Sequence, residues 1–126
     1  MKSIAFTNNK TAGGQYLEIT VNVSKVLESW RSSLFSFEWL DQGGKIKPFD
    51  DLPEKEQIKR RAVEAALARG EAITKPVLGI GIQDNVEIGS GRAAFLTLAA
   101  KGLREMPVDI PQGNEKDFKP FLASVE

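Results

Sequence analysis

Apolar and polar side chains alternate along residues 16–23, close to the start of the chain. The apolar positions all fall on one side of an extended backbone: Leu17, Ile19, Val21 and Val23. A period of two is typical of a strand that packs one face against a core. After it, Ser24 is placed to act as an N-cap, and Val26, Leu27 and Trp30 lie at helical spacing. The pattern predicts a half-buried strand followed by a short helix.

Aromatic residues dominate the next segment, residues 34–40. Phe35, Phe37 and Trp39 alternate with other residues, and the Asp-Gln-Gly-Gly sequence at 41–44 supplies a turn that ends the run. Aromatic side chains contribute large buried areas to protein cores, so we predict that these three are buried. The alternative is a surface for a ligand or a partner protein.

A longer helix is predicted to start after Asp51, run to Arg69 and stop at Gly70. Asp51 is placed to cap it, Glu54 stands three residues further on, and Pro53 is tolerated in a first helical turn. Its apolar stripe consists of Ile58, Ala62, Val63, Ala66 and Leu67. One face of this helix is therefore expected to pack against the core.

Three consecutive basic residues, Lys59, Arg60 and Arg61, lie on this helix. Consecutive positions point in different directions around a helix, which favours a solvated face over a single binding patch. A phosphate contact from part of the run is the alternative.

A hairpin is predicted after the helix. Residues 75–83 form its first strand, in which prolines and glycines suit an edge or a close approach of the backbone. Asp84 and Asn85 make a two-residue turn into a second strand over residues 86–88.

A glycine-rich turn, Gly89-Ser90-Gly91, leads from the hairpin into a helix over residues 92–101. The helix is apolar almost throughout, which predicts deep burial, and Gly102 ends it. Residues 106–110 form a short final strand.

The length of 126 residues suits a single domain. We assign residues 16–111 to that domain, residues 1–15 to a flexible N-terminal arm, and residues 112–126 to a polar C-terminal tail. Three apolar residues of the tail are candidate docking points: Phe118, Phe121 and Leu122. No apolar stretch approaches the roughly 20 residues of a membrane span, and the chain turns polar before a signal-peptide core appears. We therefore expect no contact with a membrane and a cytoplasmic location.

Composition narrows the chemistry that the chain can perform. It contains no cysteine and no histidine, which excludes zinc sites built from those residues, thiol chemistry and catalysis by a histidine-containing triad. Any acid or base has to be a carboxylate, a lysine or the tyrosine. Seventeen basic residues balance seventeen acidic ones, so only a local patch could bind nucleic acid.

The most informative unit for function is the turn Gly89-Ser90-Gly91-Arg92. Its glycines let the backbone approach a ligand closely, and the first free N–H groups of the new helix attract anions. Arg92 places a positive charge in the first turn of the helix, where its repulsion by the helix dipole costs up to about 1 kcal/mol unless an anion offsets it. The turn therefore favours a phosphate site. The alternative is a tight connection in which Arg92 reaches solvent or pairs with Glu87.

Three segments resemble the ParB/sulfiredoxin-like superfamily, in particular its ParB-like nuclease domains. They are Ile-Gly-Ser-Gly-Arg at 88–92, Ala-Ala-Lys-Gly-Leu at 99–103 and Glu-Met-Pro-Val at 105–108. In that family a phosphate-binding Gly-Arg turn, an alanine-rich helix, a Gly-Leu step and a strand follow one another in this order. The resemblance covers residues 16–111 and implies an α+β fold in which a small mixed sheet packs with helices.

The resemblance also implies a function. Family members bind nucleotides or nucleic acid through the turn, and some are nucleases or nucleotide hydrolases, so we expect a phosphate-binding accessory protein of a plasmid, phage or chromosome maintenance system. The phosphate would lie on Gly89, Ser90, Gly91 and Arg92, with a nucleotide and Mg²⁺ as candidate ligands. Further contacts to DNA are expected from Lys59, Arg60, Lys75 and Arg104.

Two alternatives stay open. Related motifs place His or Arg and a further Arg directly after the matched arginine, whereas this chain has Ala93 and Ala94, which favours binding over catalysis. An enzyme would be a metal-assisted nuclease or nucleotide hydrolase, with Glu87 as base and Glu87 or Asp84 as ligand of a divalent ion. The third hypothesis is an interaction or inhibitory domain that contacts a protein through Phe35, Phe37 and Trp39.

Overall fold

The computed structural model describes residues 4–8 and 14–123. These residues form six strands, three α-helices and four short 3-10 helices. The strands pair into three two-stranded sheets, and helices pack around them. The α+β class is confirmed. No helix within these residues is long and apolar enough to cross a membrane.

The central pair of strands is β2 (Tyr16–Asn22) and β6 (Glu105–Pro111), which run antiparallel along their whole length. Val21 lies opposite Met106, and both are fully buried. The predicted alternation along β2 and the predicted last strand are confirmed. They form the sheet on which the first helix and the C-terminal segment pack.

Helix α1 (Val23–Trp30) starts earlier than the sequence predicts. The side chain of Asn22, rather than that of Ser24, caps it by accepting a hydrogen bond from the Lys25 amide at 3.0 Å. The Val23 amide is held by the Arg104 carbonyl at 2.9 Å, so the chain turns into the helix directly at the end of β2. Ser24 therefore lies inside the first turn, and its prediction as the cap is wrong.

Helix α2 (Glu54–Ala68) begins after Pro53, with no side-chain cap. Asp51, predicted as the cap, belongs instead to a 3-10 helix, Phe49–Asp51. Three residues of the predicted stripe pack against the core: Val63, Ala66 and Leu67. Ile58 is 56% exposed, so its assignment to the buried stripe is wrong. Gly70 ends the helix region with a φ of +72°, as the sequence predicts.

Three short strands follow α2: β3 (Ile73–Thr74), β4 (Leu78–Ile80) and β5 (Val86–Ile88). The predicted strand over 75–83 is interrupted because Val77 bridges to Asp109 of β6 instead of continuing one strand. The hairpin of β4 and β5 is confirmed, with Gly79 opposite Glu87.

The hairpin turn is longer than the predicted pair of residues. It runs from Gly81 to Asn85, whose carbonyl accepts the Gly81 amide at 2.8 Å. Asp84 adopts a φ of +62°, a conformation that aspartate tolerates better than most residues. The turn therefore projects three residues, 82–84, beyond the strands.

The middle of helix α3 (Arg92–Ala100) is deeply buried, as its apolar sequence predicts. Phe95, Leu96 and Leu98 are fully buried. The helix packs against α2, and Gly102 ends it with a φ of +96°. Its first turn is therefore held between α2 and the strands.

Segments outside residues 16–111 also join the fold. Strand β1 (Phe6–Thr7), in the region predicted as an arm, pairs in parallel with β3. In the region predicted as a tail, the 3-10 helix Lys116–Phe121 buries Phe118 completely. Its neighbour Phe121 meets Phe118 edge to face, with ring centroids 5.9 Å apart. Residues 1–3, 9–13 and 124–126 of these two segments lie outside the described residues.

Candidate functional site

The turn before α3 is fixed by the segment that precedes β4. The Gly89 amide donates to the Val77 carbonyl and the Val77 amide donates to the Ser90 carbonyl, each at 2.9 Å. Gly91 has a φ of +80°, and a Cβ at this position would lie 3.0 Å from Cα of Pro76. Glycine is required at 91, and the amide of Gly89 is already occupied within the protein.

The start of α3 offers hydrogen-bond donors to its surroundings. In the part of the chain that the structure describes, the backbone amides of Arg92, Ala93 and Ala94 have no backbone acceptor, and the N-cap residue, Gly91, has no side chain to cap them. The same three residues line a cleft of about 550 Å³ between α2 and α3. On the α2 side the cleft is lined by Glu56, Lys59, Ala62 and Val63. The helix start and one lysine thus meet around an open space.

The Arg92 side chain turns back across the start of its own helix. Its Nε and Nη2 donate to the Ile88 carbonyl at 3.2 and 3.1 Å. The guanidinium carbon lies 5.1 Å from the ring centre of Phe35 and 5.9 Å from that of Trp30. Arg92 makes no salt bridge with Glu87 within the described residues. The Ile88 carbonyl and the two aromatic rings therefore stabilise the Arg92 guanidinium, for which the sequence predicts a phosphate as the partner.

Glu56, which the sequence analysis missed, lies at the base of the same cleft. It is only 4% exposed, and its Oε1 accepts the indole N–H of Trp39 at 2.9 Å. Its Oε2 lies 3.3 Å from Nζ of Lys59. Burial raises the pKa of Glu56, but hydrogen bonds from Trp39 and Lys59 and the charges of Lys59 and Arg92 outweigh it, so this pKa is lower than usual. A fixed negative charge therefore lies beside the donors of α3.

The predicted nucleic-acid contacts do not converge on one surface. Lys59 lines the cleft, with a side chain that is 59% exposed. Arg60 pairs with Glu64 at 3.1 Å and lies over the ring of Phe49, to which Arg61 also points. The basic run thus divides between two directions, as expected of a helix.

Lys75 and Arg104 are placed away from this cleft. Lys75 is buried, and it forms an ion pair with Glu18 of β2 and a second one, at 3.7 Å, with Asp109 of β6. Such a lysine joins two strands and has little charge to offer to DNA. Arg104 is exposed in the connection before β6. Neither lines the cleft at the start of α3.

Glu87, the candidate base, faces a different cleft. Its Oε1 accepts the Ser33 hydroxyl at 2.7 Å and its Oε2 accepts the Asn85 side-chain amide at 3.0 Å. This second cleft, of about 390 Å³, shares Gly89 and Arg92 with the first. Among the described residues no three acidic side chains come together to hold a metal ion. Asp84 is exposed on the hairpin turn.

The aromatic run is divided between core and surface. Trp39 is fully buried, as predicted, whereas Phe35 and Phe37 are 53% and 67% exposed. Their predicted burial is wrong because residues 36–38 form a 3-10 helix rather than a strand, which breaks the alternation of faces. The surface alternative that the sequence left open applies to these two phenylalanines.

Comparison of the chain with protein-family models, with curated proteins and with solved structures finds no match. The resemblance to the ParB/sulfiredoxin-like superfamily therefore stays a prediction.

Proposed function

We propose that the protein binds a phosphate-bearing ligand, a nucleotide or nucleic acid, in the cleft between α2 and α3. The observation that carries this proposal is the set of three amides at the start of α3, those of Arg92, Ala93 and Ala94, which have no backbone acceptor in the described chain and belong to residues that line the cleft. A helix N-terminus carries a partial positive charge and points its N–H groups at an anion.

Lys59 supports the proposal from the opposite wall. Its exposed ammonium group lines the cleft, and the partner that it has there is Glu56. The ammonium group of Lys59 has three N–H donors, so it can donate a hydrogen bond to a phosphate while it stays paired with Glu56. The negative charge of Glu56 opposes the ligand, but Lys59 and Arg92 balance it.

The proposed contacts are part of those expected from the sequence. The backbone amides at 92–94 and the ammonium group of Lys59 are kept, whereas the Arg92 guanidinium and the Gly89 amide have partners inside the protein. The carboxylate that lines the cleft, Glu56, already accepts a hydrogen bond from Trp39 and pairs with Lys59, which favours a binding protein over an enzyme. An accessory role in a mobile element or in plasmid maintenance follows from the family resemblance alone.

The test is a titration of the protein with ATP and with a short DNA duplex at about 50 mM and about 200 mM salt. We expect binding that weakens with salt, and a roughly tenfold loss of affinity in Lys59→Ala, the scale of one lost hydrogen bond from a charged group. Lys55→Ala is the matched control, because Lys55 is exposed on the same helix and does not line the cleft. Arg92→Ala is expected to have a smaller effect than Lys59→Ala.

Two results would contradict the proposal. One is the absence of binding to either ligand at the lower salt concentration. The other is an equal affinity of the Lys59→Ala and Lys55→Ala variants, since the cleft would then make no contact with the bound phosphate.

A further inference from the structure

The second cleft carries an unusual concentration of exposed apolar side chains. Its rim is formed by Leu34 and Phe35, from the loop after α1, and by Ile82 of the hairpin turn. Leu34 is 81% exposed and Ile82 projects completely into solvent. Phe37, also exposed, follows two residues after Phe35 in the chain. Contiguous apolar surface of this kind is typical of protein–protein interaction sites.

The loop that carries Leu34 and Phe35 is held in this exposed position by specific contacts. The Phe35 amide donates to the Ser33 hydroxyl oxygen at 3.2 Å, and that hydroxyl donates to Glu87. The Arg92 guanidinium lies over the Phe35 ring. These contacts fix the position of Phe35 in the rim, which reduces the entropy lost when a partner binds.

Negative charge lies beside this apolar rim. Glu87, on the floor of the cleft, is held by two neutral donors, the Ser33 hydroxyl and the Asn85 amide. No described cation lies within salt-bridge distance of Glu87, of Asp84 on the hairpin turn, or of Glu38 beside Phe37. Glu64, which is half-buried, and Asp109, which is buried, do have a cationic partner.

Arg92 does not neutralise this surface fully. It is the cation that lines the cleft, and two of its three nitrogens donate to the Ile88 carbonyl while its flat face covers Phe35. The surface offered to a partner is therefore apolar at the rim and acidic at its floor and edge.

We propose that this cleft docks an amphipathic segment of another protein, which inserts an apolar side chain between Leu34, Phe35 and Ile82 and directs a lysine or arginine towards Glu87 and Asp84. An apolar anchor in a pocket, surrounded by polar contacts, is the usual arrangement of a binding hot spot. Complementary charge then selects the partner. The proposal does not depend on phosphate binding in the first cleft.

A second copy of this chain is a poorer occupant of the same surface. In a symmetric dimer the same patch meets itself, which would bring Glu87 and Asp84 of one copy close to the same carboxylates of the other. Like charges facing each other in an interface are unfavourable. A basic segment of a different protein avoids this repulsion.

The probe is a labelled synthetic peptide with leucines and lysines at amphipathic helical spacing, compared with a peptide in which glutamates replace the lysines. Fluorescence anisotropy is expected to show binding of the basic peptide, with a roughly tenfold loss of affinity in Ile82→Ser, the size of a hot-spot truncation. The control is Ile58→Ser, which removes an exposed isoleucine side chain from α2, outside the cleft. It is expected to keep the wild-type affinity.

The charge is tested separately with Glu87→Gln, which keeps the shape of the side chain. Its affinity for the basic peptide is expected to fall about threefold, the scale of a partly exposed ion pair. Glu105→Gln, which removes an exposed carboxylate at the first residue of β6, outside the cleft, is expected to have no effect.

Three outcomes would overturn the proposal. They are equal affinity for the basic and acidic peptides, equal affinity of Ile82→Ser and Ile58→Ser, and a dimer in light scattering that Ile82→Ser dissociates. The ATP titration of Ile82→Ser separates the two clefts, since this variant is expected to bind ATP like the wild type. A failure of peptide binding thus leaves the phosphate proposal to its own test.

Discussion

Glu56 connects three parts of the molecule through one buried carboxylate. It belongs to the first turn of α2, accepts the indole N–H of Trp39 and holds Lys59 beside the start of α3. A buried carboxylate is tolerated when hydrogen bonds and positive charges stabilise its ionised form. The same arrangement makes the stability of the fold depend on the protonation of Glu56.

The lowered pKa of Glu56 predicts a component of stability that acid removes. A carboxyl whose pKa is lower in the folded state adds stability above its unfolded pKa, and this stability is lost as the pH falls through the folded value. Urea denaturation between about pH 7 and about pH 3 is expected to show a steeper fall in the wild type than in Glu56→Gln. Glu105→Gln is the control and should follow the wild type. Parallel pH profiles of the wild type and Glu56→Gln would contradict the prediction.

At the residue scale, the sequence shows which side chains are available for a site, but it does not predict which residues those side chains contact. The absence of histidine and cysteine limits the chemistry of any site that the chain can form. The orientation of Arg92, however, depends on Phe35 and Trp30, which are remote in sequence and come from other elements. The burial of Glu56 depends on Trp39 in the same way. No local pattern carries this information.

At the scale of elements, the turn between β5 and α3 depends on close packing as well as on backbone conformation. Gly91 and Gly102 stand at the two ends of α3, and both have a positive φ. A Cβ at Gly91 would press on Pro76, whereas nothing lies within 4 Å of the same position at Gly102. Substitutions at the two glycines therefore distinguish the free-energy cost of the left-handed backbone conformation from the cost of the contact with Pro76.

This difference predicts unequal effects of two alanine substitutions. Gly102→Ala is expected to cost about 1 kcal/mol of unfolding free energy, which is the usual penalty for an alanine in the left-handed region. Gly91→Ala is expected to cost about 2 to 3 kcal/mol, because Pro76 has to move as well. Urea denaturation measures both values. Equal losses would show that the approach of Pro76 contributes nothing.

The sequence predicts elements well where the signal is local. The glycine turn, α3, the glycine after it and β6 all lie where the pattern places them. Strand β1 has only two residues, too few for any periodicity, and it forms because β3 is available as a partner. The start of α1 at Val23 likewise depends on another segment, because the Val23 amide donates to the Arg104 carbonyl. The long hairpin turn is closed by its own residues, through the Gly81 amide and the Asn85 carbonyl.

At the scale of the whole molecule, one core extends beyond the domain boundaries that the sequence indicates. Phe118, in the segment after β6, is as deeply buried as Trp30 and Trp39. Leu122 pairs with Val21 of the central sheet, and the Ala123 amide donates to the Thr20 carbonyl at 3.0 Å. The C-terminal segment therefore covers one edge of β2. The polar composition of residues 112–126 hides this role.

Phe118→Ala is predicted to destabilise the whole fold. Removal of a fully buried phenylalanine ring is expected to cost about 3 to 5 kcal/mol, measured by urea denaturation. Phe37→Ala is the matched control, because its ring is 67% exposed, and is expected to cost less than about 1 kcal/mol. A small loss in Phe118→Ala would mean that residues 112–123 are not part of the cooperative unit.

The hydrogen bonds that tie the turn at 89–91 to Val77 determine how a ligand would meet the protein. Because this turn is shaped by contacts within the protein, the helix start proposed to bind the anion is preorganised, and binding would cost little chain entropy. Because no loop has to close when the ligand binds, we expect different phosphate ligands to associate with the protein at similar rates. Differences in affinity between these ligands would then come from their dissociation rates.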